Sequence, residues 1–148
     1  MIIKRNIIQE KKRHTLKSEI IINSETKKII SVGIAPGKTH DFLLFKQNNS
    51  IFSDQQHFIA DSGYEGIVQL FPNSFTPFKR NKKGELTEFQ KIYNQELAKL
   101  RIPIEHVNRK LKRFRILSSI YRNKRKNFER KLILISCFYN MEVISMAA

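Results

Sequence analysis

The stretch His57-Phe-Ile-Ala-Asp-Ser-Gly-Tyr-Glu-Gly-Ile67 runs three apolar residues straight into an acid. Phe58, Ile59 and Ala60 read as a short strand buried on both faces, the pattern of a sheet interior covered by helices on either side. Asp61 and a Ser-Gly turn end it. In such sheets functional side chains collect where a strand leaves the core. A carboxylate at that lip either caps the following turn through its amides or accompanies a cation. A hard divalent ion such as Mg²⁺ suits carboxylate oxygens. The local sequence leaves both readings open.

Upstream, Ser18–Asn23 (SEIIIN) and Lys28–Ala35 (KIISVGIA) are rich in β-branched residues and flank polar turn material, which predicts an antiparallel hairpin. Pro36-Gly37 ends the second strand, and Thr39 or Asp41 is placed to cap a short helix carrying Phe42 to Phe45. Downstream come a short helical stretch, Tyr64 to Leu70, and a further apolar piece, Ser74 to Phe78. Phe89, Ile92, Tyr93, Leu97 and Leu100 then recur at helical spacing. Pro103 opens a new helix expected over Ile102–Leu117, with Ile104, Val107, Leu111 and Phe114 inward. A last helix is expected over Lys126–Val143. The order β-β-α-β-α-β followed by helices predicts an α/β fold, a mixed sheet flanked by helices.

The 148 residues carry 28 Lys and Arg against 13 Asp and Glu, a formal charge of +15. That imbalance is the footprint of a polyanion binder, with nucleic acid as the default partner. No apolar run is long enough for a membrane helix, and the start lacks the core of a signal peptide, so a cytoplasmic protein with no membrane partner is expected. The single cysteine, Cys137, excludes an internal disulfide and a cysteine-based zinc cluster. Its apolar neighbours predict a buried thiol. The first 17 residues are basic and weakly patterned and read as an arm or remnant, leaving 18–148 as the domain.

A second acid stands among cations. If the segment around it is helical, Arg101, Glu105, Arg109 and Lys112 share one face. On spacing alone this is a solvated face laced with salt bridges, each worth about 0.2–0.5 kcal/mol.

Taken together, KKRHTLK, PGKTHDFLLF, IADSGYEG, RIPIEHVNRKLKRFRIL and YRNKRKNF resemble, in order, the C-terminal part of DDE transposases of the insertion-sequence-five and Harbinger-like type. The resemblance spans about Lys11 to Val143. It implies a ribonuclease H-like fold in which three acids bind two Mg²⁺ (or Mn²⁺) ions for phosphodiester cleavage and strand transfer at element ends. Asp61 matches the second acid and Glu105 the third, both as metal ligands. Arg101, Glu105 and Lys112 fit the signature Tyr-x2-Arg-x3-Glu-x6-Lys, although Ala98 stands at the tyrosine position. Arg101, Arg109, Lys112, Arg113, Lys79 and Arg80 are then DNA-binding candidates, with Lys82, Lys83, Arg122 and Lys124 adding charge. Thr39-His40-Asp41 matches a recurrent turn without an assigned role. For Asp41, helix capping is favoured over metal binding.

The same resemblance places a first acid on the first strand, upstream of KKRHTLK. The chain's aspartates are Asp41, Asp54 and Asp61, so that acid has no candidate. The expectation is an N-terminally truncated domain lacking its first strand, with an open edge beside Ser18–Asn23. It would hold divalent metal weakly and cleave DNA poorly by itself. A DNA-bound homo-oligomer or an upstream transposase fragment is the expected protein partner. The alternative is an inactive DNA-binding remnant or a downstream reading-frame product.

Overall fold

A computed structural model describes residues 2–8, 16–80, 84–119 and 125–147. Five strands form one mixed sheet: β1 (Ile2–Ile8), β2 (Leu16–Asn23), β3 (Ile29–Pro36), β4 (Phe58–Ile59) and β5 (Ser74–Phe75), in the order β3-β2-β1-β4-β5. β1, β2 and β3 pair antiparallel, while β4 runs parallel to both β1 and β5. Among the described residues six α-helices accompany the sheet: α1 (Asp41–Asn48), α2 (Ile67–Leu70), α3 (Glu88–Leu100), α4 (Ile102–Lys112), α5 (Arg115–Ser118) and α6 (Arg125–Ala147).

The open edge expected beside Ser18–Asn23 does not exist. β1 lies between β2 and β4, in register from Ile2 opposite Asn23 to Ile8 opposite Lys17. Four isoleucines in IIKRNII give it strand character that the surrounding lysines and arginines disguise. The reading of the first 17 residues as an arm is corrected for this segment; residues 9–15 lie outside the described residues.

Strand alternation builds two cores. Ile20, Ile22, Ile34 and Ile59 face α4 and α6, meeting Ile104, Val107, Leu111, Phe128 and Leu132. Ile21, Phe58 and Ala60 face the other way, against Phe45, Tyr64, Ile67 and Phe71. β2 and β4 are therefore buried on both sides, which explains their unbroken apolar runs. On the second face the rings of Phe58 and Phe71 lie 4.7 Å apart and those of Phe45 and Phe58 5.6 Å apart, the latter edge to face. At the sheet's free edge, Asn140 of α6 both donates to the Ile29 carbonyl and accepts from its amide, each at 2.8 Å, taking the place of a missing strand.

Several local expectations change. α4 stops at Lys112, and the extended backbone of Phe114 separates it from α5. Leu117 is buried, but Phe114 is 44% exposed rather than inward. α3 forms with a complete capping box, Thr87 and Gln90 satisfying one another's amides. Of its apolar stripe only Leu97 is buried. Cys137 is exposed, not buried, because the inner stripe of α6 runs through Phe128, Leu132, Ile135 and Tyr139 and leaves residue 137 on the outer side. Among the described residues no helix is long and apolar enough to cross a membrane.

Candidate functional site

Asp61 leaves β4 in extended conformation and caps the following turn: its Oδ1 accepts from the Ser62 amide at 2.9 Å. Its other oxygen, Oδ2, lies 3.3 Å from the Arg101 guanidinium. Capping and cation pairing thus coexist, one oxygen each. Arg101 sits at the junction of α3 and α4, serving as C-cap of the first and N-cap of the second. Pro103 in the first turn of α4 tolerates this tight passage because its missing N–H is one a helix start leaves unbonded. The Arg101 side chain is largely buried, and its Nε has no hydrogen-bond partner among the described residues.

From Arg101 the helix carries the remaining candidates along one face. Glu105, half-buried, follows after one turn, about 6 Å along the axis. Glu105, Asn108, Arg109, Lys112 and Arg113 line an open cleft of about 360 Å³. Three cations against one acid make this cleft attractive to phosphate. Asn108 is buried at its floor, and its Oδ1 is a second polar atom without a partner. Sequence reading missed Asn108, although its place three residues after Glu105 was a visible signal.

A second cluster braces the turn after Asp61. Lys17 of β2 donates to the Thr39 carbonyl at 2.8 Å and forms an ion pair with Asp41. The Asp41 Oδ2 occupies the space that a Cβ on Gly63 would take. Capping of α1 by Asp41 is corrected: its carboxylate goes to Lys17, and the Phe42 amide donates instead to His40 Nδ1 at 3.3 Å. Two residues along β2, the buried carboxylate of Glu19 accepts from the Tyr64 hydroxyl at 3.2 Å. Lys17, Glu19 and Ile21 occupy alternate positions and so one face. That charged pair beside a core isoleucine was the legible clue to both residues.

The other expected cations lie elsewhere. Lys79 pairs with Glu65 at 2.7 Å, and Arg80 with Glu85 at 3.3 Å, all well exposed. The hydrogen bond from Lys79 holds the Glu65 carboxyl below the usual carboxylate value. Lys82, Lys83, Arg122 and Lys124 lie outside the described residues.

The donor set fits a hard cation only in part. Asp61 and Glu105 offer carboxylate oxygens, yet Arg101 already stands on one of them, and no group of three His, Cys, Asp or Glu gathers among the described residues. Two acids suit one ion better than the pair of ions that the sequence resemblance implied.

Comparison with known proteins bears on this arrangement. The sequence profile of the DDE superfamily endonucleases matches residues 8–139. Over 130 residues the chain is 46% identical to the "Probable transposase for insertion sequence element IS702" of Microchaete diplosiphon, an alignment covering 88% of this chain and 47% of that protein. The chain thus spans about half the length of this curated relative. No solved structure matches significantly. The chain belongs to the DDE superfamily endonucleases.

Proposed function

We propose that this chain is the catalytic core of an insertion-sequence transposase of the insertion-sequence-five and Harbinger-like type, acting on the phosphodiester backbone of element-end DNA. The sheet order β3-β2-β1-β4-β5, with β4 parallel to a central β1, supports a ribonuclease H-like core. The observation that supports the reading is the Arg101–Asp61 contact, which ties the end of β4 to the head of α4, the helix that carries Glu105 one turn further on and the cation-lined cleft beyond it.

In this reading Arg109, Lys112 and Arg113 receive phosphates in the cleft. Asp61 and Glu105 hold a divalent ion, Mg²⁺ or Mn²⁺, with Arg101 orienting the Asp61 carboxylate. When bound, such an ion polarises the phosphoryl oxygens and lowers the pKa of an attacking water. Lys79 and Arg80, already paired to Glu65 and Glu85, contribute to the general attraction of DNA rather than to the cleft.

A second reading, a DNA-binding protein without cleavage activity, is favoured by one observation. β1 (IIKRNII), which runs beside β4 in parallel register, Ile2 by Phe58 and Ile3 by Ile59, contains no acid and so adds no carboxylate ligand next to Asp61.

Supercoiled plasmid with Mg²⁺ or Mn²⁺ separates the two. Nicking that disappears in Asp61→Ala and Glu105→Ala identifies the chain as a working nuclease. Binding intact without nicking supports the second reading. Loss of Mn²⁺-induced NMR broadening in Asp61→Asn then tests the metal assignment, and broadening unchanged in that variant rules it out.

A further inference from the structure

The outer surface of α6 is the largest feature that the proposed chemistry does not use. Its inner stripe is buried against the sheet and Asn140 ties it to β3, so the orientation of the helix is fixed. The outer side nevertheless presents Leu134 and Phe138, each 54% exposed, and Met141, 64% exposed. Apolar exposure of this kind marks an interaction surface. Electrostatics narrows the partner. In a chain of formal charge +15, the segment Leu132–Ala147 holds a single charged side chain, Glu142. This is the face on which two copies of so basic a molecule can approach with least repulsion.

The pattern on that face is self-complementary. Arg130, Leu134, Phe138 and Glu142 recur every four residues and form one exposed ridge: cation, aliphatic, aromatic, anion. Turned end for end, the ridge sets Glu142 of one copy against Arg130 of the other and Leu134 against Phe138. Ridges of this four-residue spacing interdigitate when helices cross at about −50°. A two-fold axis between the helices then passes midway along the ridge, between Leu134 and Phe138, which is the isologous geometry of a cyclic dimer. The Lys110–Glu142 ion pair, 2.9 Å long and half-exposed, leaves the other Glu142 oxygen available.

We propose that the ridge Arg130–Leu134–Phe138–Glu142 is a self-association surface through which two copies of the chain pair antiparallel along α6. The proposal does not depend on metal binding or on DNA cleavage.

Sedimentation velocity on the intact chain in high salt, over a wide range of concentration, reads it directly. A concentration-dependent dimer is expected. Arg130→Glu and Glu142→Arg should each raise its dissociation constant about tenfold, and the double swap Arg130→Glu with Glu142→Arg should restore it. That rescue distinguishes pairing across the axis from simple loss of fold, which circular dichroism monitors in parallel. A chain that stays monomeric at every concentration, or a double swap that behaves like its singles, overturns the proposal.

Discussion

The Asp41 carboxylate fills the space beside the Gly63 Cα that any larger residue would need. Gly63 lies two residues after Asp61, so the contact fixes the turn that presents the candidate acid. Gly63→Ala is therefore expected to destabilise the fold by about 1–3 kcal/mol through overpacking. In an Asp41→Ala background the same change should cost much less, since the obstructing carboxylate is gone. A double-mutant cycle by chemical denaturation measures the difference, and strict additivity would refute the contact.

Lys17 carries the other half of this brace. With 11% of its side chain exposed, and Asp41 at 25%, the pair is sheltered enough to be worth more than a surface ion pair. Lys17→Met removes the cation and a donor to the Thr39 carbonyl, leaving Asp41 uncompensated. A loss of about 2 kcal/mol is expected. Adding Asp41→Asn should recover part of it, measured by the urea midpoint.

Asn108 separates stability from binding. Its buried Oδ1 has no partner among the described residues, so Asn108→Leu removes a desolvated polar group at little change of volume. Stability should hold or rise by up to about 1 kcal/mol. If the cleft receives phosphate, duplex affinity should fall in the same variant. Unchanged DNA affinity in a gel shift would take Asn108 out of the interface.

The cleft cations make a prediction about salt. Lys112→Ala and Arg113→Ala should each reduce the slope of log affinity against log salt by about 1, because each phosphate contact releases condensed counterions. Arg80→Ala should change it less, since its guanidinium is already paired with Glu85. Fluorescence anisotropy at several salt concentrations gives the slopes.

Tyr139 links α6 to the β2–β3 turn by donating to the Lys27 carbonyl at 3.2 Å. Burial, aided by the nearby Glu142 charge, raises its hydroxyl above the ordinary value of 10.0. Below pH 10 the native and unfolded chains both hold the proton. As pH rises towards the native value the unfolded chain loses it first, so the stability from this group falls with pH. Tyr139→Phe should lose about 1 kcal/mol at neutral pH with its hydrogen bond, yet decline less steeply above pH 10. Parallel alkaline profiles for the two proteins would contradict the assignment.

Short-range patterns carried much of this structure. The isoleucine runs around Ser24–Lys27 announced the β2–β3 hairpin, Pro103 announced the start of α4, and the spacing from Arg101 to Lys112 put the cleft residues on one face. What depended on distant partners was hidden. Nothing in the 41–45 segment says that Asp41 meets Lys17, because that pairing is made only when β2 and α1 pack. The basic character of the first residues concealed β1, whose strand conformation is set by neighbours on both sides. Cys137 was misread because a run of apolar residues in a helix longer than its contact with the sheet turns some of them outward. The Asp61–Arg101 contact gives the capping acid a guanidinium partner that the two local readings, turn cap and metal ligand, did not include.

Placing β1 at the centre of the sheet has a kinetic side. Its antiparallel neighbour β2 follows soon after it in the chain, but its parallel neighbour β4 arrives only after β3, α1 and residues 49–57. Closing that long loop is slow compared with zipping a hairpin. The three-stranded meander should therefore assemble early and wait with one flank of β1 unsheltered, and that interval, rather than the finished fold, is when such a chain is most exposed to chaperones and to aggregation.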